Sequence, residues 1–169
     1  LRRLAHKYPL TVLSKRGSRG KAQSLVEGIA VSTAPFLAMI DADLEYPPEA
    51  LPQMYVLAQN SQVGVVVACR KNLHKNIIRT ALSQANRFIL GRLLLGMKCD
   101  PQSGLKLFRR EIMGHLDTKN IKAWAFDIPL LHITRELGYR IDSVLIDFNQ
   151  PEKGESKLKL QMITDITQI

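Results

Sequence analysis

An α/β fold with a mostly parallel sheet is the architecture this chain predicts, and three observations predict it. Apolar runs of strand length alternate with stretches of helical periodicity between residues 10 and 69, the order that builds parallel sheets through crossover helices. The run VGVVVAC at 63–69 is continuous, apolar and rich in β-branched residues, as in a strand covered on both faces. Finally, FLAMI at 36–40 breaks abruptly into DADLEYPPE. Open α/β sheets place their ligand sites at such strand exits.

In chain order, residues 1–8 read as the end of a basic helix closed by Pro9, and LTVLS at 10–14 as a short strand. KRGSRGK at 15–21 is a basic, glycine-containing turn leading into apolar residues at helical spacing over 22–32. Strand, Gly/Lys turn and helix together suggest a phosphate cradle. The spacing is not that of a P-loop, however, and a solvated basic turn is the competing reading. After the acidic exit, Pro47 and Pro48 end the strand because neither supplies a ladder N–H. Pro48 then suits the first turn of a helix running to about Gln59.

Beyond the strand at 63–69, RKNLHKN at 70–76 is a basic loop. It feeds a helical pattern over 77–97 that reads either as a core helix or as one lying in a bilayer interface. DPQSG at 100–104 is a turn, 105–108 a short strand and 112–116 a short helix. A longer helix over 127–137 stops at Gly138, and IDSVLIDF at 141–148 is a strand with one wetter face.

The acidic exit carries the chemistry. If the backbone stays extended past residue 40, Asp41, Asp43 and Glu45 point the same way, and three converging carboxylates need a cation. A divalent ion shared with a phosphate is the natural occupant; a solvated acidic loop is the plain alternative. An EF-hand is excluded, since Tyr46 stands where that loop needs Gly and Pro52 where it needs Glu.

The chain has 169 residues, enough for one domain with a real core. A net charge of +9 points to an anionic partner: nucleic acid, a phospholipid surface or a phosphorylated substrate. Against nucleic acid, aromatics are sparse at 6% and no zinc-finger, RNP or helix-turn-helix signature is present. Cys69 and Cys99 lack metal-ligand spacing and suggest reduced thiols in a cytoplasmic compartment. No apolar run reaches the length of a membrane span.

Taken in order, RGKAQSLVEGIA, MIDADLEYPPEALPQM, DPQSGLKLFRREIM, AFDIPLLHITRELGYRI and GESKL resemble a family 2 glycosyltransferase of the GT-A fold. They are most like the branch of dolichol-phosphate mannosyltransferases and polyprenyl-phosphate glycosyltransferases. The resemblance covers residues 19–158. It implies a single partial domain, 1–169, that starts after the family's first strands.

It further implies an inverting transfer of mannose or glucose from a GDP- or UDP-sugar to a polyprenyl or dolichyl phosphate. Asp41 and Asp43, with Glu45 where the family often has Gln, would hold Mg²⁺ or Mn²⁺ on the donor diphosphate. Gly20 and Lys21 would approach the donor. Arg79 and Ser83 would hold the acceptor phosphate on one helix face, with Arg70 opening the acceptor loop and Asp100 and Ser103 lining the pocket. Asp43, Arg79 and Asp127 are the implied catalytic set.

Two departures stand out: Pro129 replaces a glutamate, and Pro151 replaces a phosphate-binding arginine, leaving Lys153 or Lys157 to substitute. Because a phosphate nucleophile is already anionic at neutral pH, its second pKa being about 6, no strong base is required. A member acting on a sugar hydroxyl would instead need Asp127 as base. The expected setting is the cytoplasmic face of a membrane, peripheral or tethered by segments outside this chain, with no nucleic acid as partner.

Overall fold

The structure, a computed structural model, describes residues 2–17, 20–43, 45–71, 101–118 and 126–147. Arg79, Ser83, Asp100, Lys153, Lys157 and the helical pattern at 77–97 lie outside the described residues. Among the described residues four strands form one sheet: β1 (Phe36–Ile40), β2 (Val63–Arg70), β3 (Leu105–Arg109) and β4 (Arg140–Ile146). Their order is β1-β3-β2-β4.

β1, β2 and β4 share one direction. β3 is inserted against them, antiparallel to both β1 and β2, while β2 and β4 pair in parallel. The carboxyl ends of three strands and the start of β3 therefore meet at one end of the sheet.

The valine run of β2 is buried on both faces, as its composition predicts. On one face Leu37, Met39, Val65, Val67 and Phe108 pack against α2 (Lys21–Ala30) and α4 (Asp127–Glu136), through Ala22, Leu130 and Leu131. On the other, Val66, Ala68, Leu105, Leu107, Val144 and Ile146 pack against Tyr46, Ala50, Met54 and Ala58. The last two of these belong to α3 (Leu51–Ala58), which follows a 3₁₀ turn opened by Pro48. Val63 joins this second face, although simple alternation would put it with Val65. A register irregularity between the two accounts for the switch.

Two shorter helical pieces are α1 (Arg2–Ala5) and a 3₁₀ stretch, Arg110–His115, where a short helix was expected. α4 stops where predicted, at Gly138, whose φ of 81° suits a residue without Cβ.

Residues 10–14 do not form the expected strand: they belong to no regular element, and Val12 and Leu13 are exposed. A strand exists only by pairing, and this segment pairs with none of the described strands. Cys69 is disulfide-bonded rather than a free thiol. Separation along the chain says nothing about distance in the fold; the other cysteine, Cys99, lies outside the described residues.

Candidate active site

The site lies at the carboxyl end of β1. Asp41 is the first residue past the strand, and its backbone N–H donates to the Gly104 carbonyl at 3.0 Å. That bond continues the β1–β3 pairing one step beyond Ile40↔Leu105. Its carboxylate Oδ1 meets Lys21 Nζ at 2.5 Å, both side chains being about one-third exposed. Lys21 is delivered by the start of α2, directly after Gly20, whose φ of 138° is one that side-chain-bearing residues rarely adopt.

Gly104 is held from the other side. A Cβ there would run into the Asp41 carboxylate and lie 2.9 Å from Cε2 of Tyr46. Tyr46 is buried at 2% exposure. Its hydroxyl accepts a hydrogen bond from Arg70 Nε at 3.0 Å, and the Arg70 guanidinium carbon sits 5.1 Å from its ring centroid. So Arg70, at the end of β2, is brought to the Asp41 end of the sheet and anchored through Tyr46.

The three carboxylates do not converge as expected. β1 ends at Ile40 and the backbone turns at once, with Asp43 Oδ1 accepting the Glu45 N–H at 3.1 Å. Extended alternation therefore stops before it can align Asp41, Asp43 and Glu45. Among the described residues no three His, Cys, Asp or Glu side chains form a metal cage. Asp41 and Asp43 still fit a hard divalent ion of the kind that takes one or two carboxylates and completes its shell with substrate phosphates and water.

Ser103, expected to line the pocket, stands buried in the turn before β3. It is 1% exposed, and its hydroxyl donates to Ala68 O at 2.7 Å while accepting the Leu105 N–H at 3.3 Å, clasping the turn to β2. Asp127 begins α4 and accepts a hydrogen bond from Lys106 Nζ at 2.6 Å. Lys106 is wholly buried and also donates to Ser103 O at 2.6 Å. Sequence reasoning passed over both Tyr46 and Lys106. The available signal was a lone lysine in a strand whose sheet is covered on both faces, where a charge needs a partner.

The basic turn is tied to α2: Glu27 accepts the N–H groups of Arg16 and Gly17 at 3.1 and 2.8 Å. These two bonds hold the Glu27 carboxyl below its ordinary range.

The family model described as Glycosyl transferase family 2 matches residues 1–116. The chain belongs to glycosyl transferase family 2. Within the family it is 25% identical over 98% of its length to dolichol-phosphate mannosyltransferase of Saccharomyces cerevisiae. To dolichyl-phosphate beta-glucosyltransferase of Dictyostelium discoideum it is 27% identical over 95% of its length. It spans 65% and 53% of those two enzymes.

The fold is that of glucosyl-3-phosphoglycerate synthase from Mycobacterium tuberculosis, solved with Mn²⁺, UDP-glucose and glycerol 3-phosphate. The TM-score is 0.65 at 19% identity, covering 92% of this chain and 53% of that one. The mixed sheet with helices on both faces is thus the GT-A fold expected from the family motifs.

Proposed function

We propose that the protein containing this chain is an inverting glycosyltransferase. It moves mannose or glucose from a GDP- or UDP-sugar to a polyprenyl or dolichyl phosphate, at the cytoplasmic face of a membrane. The observation that carries this is the Asp41–Lys21 pair, fixed against Gly104 at the carboxyl end of β1, in a family 2 chain similar to two dolichyl-phosphate sugar transferases.

In this reading Asp41 and Asp43 hold a divalent cation on the donor diphosphate, and Lys21 neutralises charge growing on the leaving nucleoside diphosphate. The cation, Mg²⁺ or Mn²⁺, supplies Lewis-acid stabilisation of the same charge. Arg70, Arg79 and Ser83 receive the acceptor phosphate, a nucleophile already anionic at neutral pH. Asp127 is committed to Lys106, which agrees with a reaction that needs no strong base. The +9 net charge favours anionic lipid headgroups.

The test is turnover of the full-length protein with each donor and a prenyl phosphate in the presence of Mn²⁺, comparing wild type with Asp41→Ala and Asp43→Ala. Loss of turnover by about 10²-fold or more is expected; unchanged turnover in both variants overturns the assignment.

A further inference from the structure

Lys106 is the one lysine buried completely among the described residues, and nothing in the proposed chemistry yet uses it. It points to the sheet face shared by its register partners Met39 and Val67, among apolar side chains. An ion pair in such a place is commonly no more stable than an apolar pair of the same volume. Its geometry offers a reason for it. Of three ammonium donors, one goes to Asp127 Oδ1 and one to the Ser103 carbonyl, both at 2.6 Å.

Ser103 is also pinned to Ala68 by its hydroxyl. The next residue, Gly104, accepts the Asp41 N–H and has the Asp41 carboxylate packed against its Cα. A continuous set of contacts therefore runs from Asp127 through Lys106 and the 103–104 turn to Asp41.

We propose that Lys106 is a positioning residue for the cation-binding Asp41, acting through the 103–104 turn, with Asp127 as its buried counterion rather than a group that meets substrate. This rests on the reading of Asp41 as a cation ligand. Residues one step behind a metal ligand typically change metal affinity by about 10–100-fold when removed. Lys106 acts one step further back, so the lower end of that range applies.

The experiment measures Mn²⁺ binding to the full-length protein in the presence of UDP or GDP, by the electron paramagnetic resonance signal of free Mn²⁺, beside thermal unfolding and steady-state kinetics. Lys106→Met/Asp127→Leu removes both charges and keeps the volume apolar. It is expected to unfold near the wild-type temperature, with Mn²⁺ dissociation constant and apparent KM for Mn²⁺ both raised about tenfold.

A wild-type Mn²⁺ constant in that variant overturns the proposal, because a strut serving the fold alone would move the melting temperature and leave the metal untouched. If the double variant does not fold, Asp127→Asn decides: a threefold or larger rise in the Mn²⁺ constant supports the proposal and no rise overturns it. Asp41→Asn serves as the separate control. Intact Mn²⁺ binding there removes the cation-ligand reading itself, and this inference with it.

Discussion

Gly104→Ala tests the packing of the site most directly. Gly104 is not one of the positive-φ glycines, so alanine brings no backbone strain and the effect is purely steric. The new methyl would lie 2.8 Å from Asp41 Cγ and 2.9 Å from Tyr46 Cε2. Ordinary carbon contacts are about 3.5–4.0 Å, so both contacts must open by roughly 0.6–1.2 Å. The Asp41 side chain, about one-third exposed, can swing away, whereas Tyr46 is buried and held by Arg70 and yields only at a cost.

The stability cost should then fall in the overpacking range, about 1–3 kcal/mol, each kcal/mol lowering the melting temperature by roughly 2–4 °C. Displacing the carboxylate by about 1 Å should lower kcat/KM by about 10²-fold. Thermal unfolding and steady-state kinetics at fixed Mn²⁺ measure both. A folded Gly104→Ala protein with wild-type kcat/KM would show that Asp41 does not need this position.

Lys21→Met should leave the melting temperature nearly unchanged, since a pair about one-third exposed contributes about 0–1 kcal/mol, yet lower kcat by about 10²-fold; kinetics beside a thermal melt separates the two. Arg109→Ala should do the reverse. Its guanidinium donates to the carbonyls of Val63, Ala58 and Asn60 and stacks on Phe36, so urea titration should show a loss of about 2–3 kcal/mol with unchanged turnover per folded molecule. The Glu27 carboxyl is lowered from 4.5 in the folded chain, first by the Arg16 N–H and then by that of Gly17. Its hold on the basic turn is therefore present above pH 4.5 and lost as pH falls through the lowered value. The protection factors of the Arg16 and Gly17 amides should fall on acidification, and Glu27→Gln should remove that dependence.

The fold was legible wherever burial wrote a pattern. The valine run of β2, the apolar lead of β1 and the glycine stop of α4 all follow from which side chains the sheet must cover. The reversed β3 was not legible, because five residues of strand carry no mark of direction. The strand expected at 10–14 failed because pairing depends on a neighbour, which local sequence does not contain.

At the site, Asp41 and Lys21 were evident as charges in a motif, but their contact is a product of the sheet. Reading Asp41, Asp43 and Glu45 as aligned assumed an extended backbone that the Asp43 turn replaces. Lys106 was hidden because a lysine in a short strand ordinarily faces water. Only the assembled layers show that it cannot.

The reversal of β3 also decides which segments meet at the rim. The chain leaves the sheet past Arg70 and rejoins it at Ser103, and both points stand on the same rim as Asp41. Three stretches far apart along the chain are thereby brought side by side by a single strand running backwards.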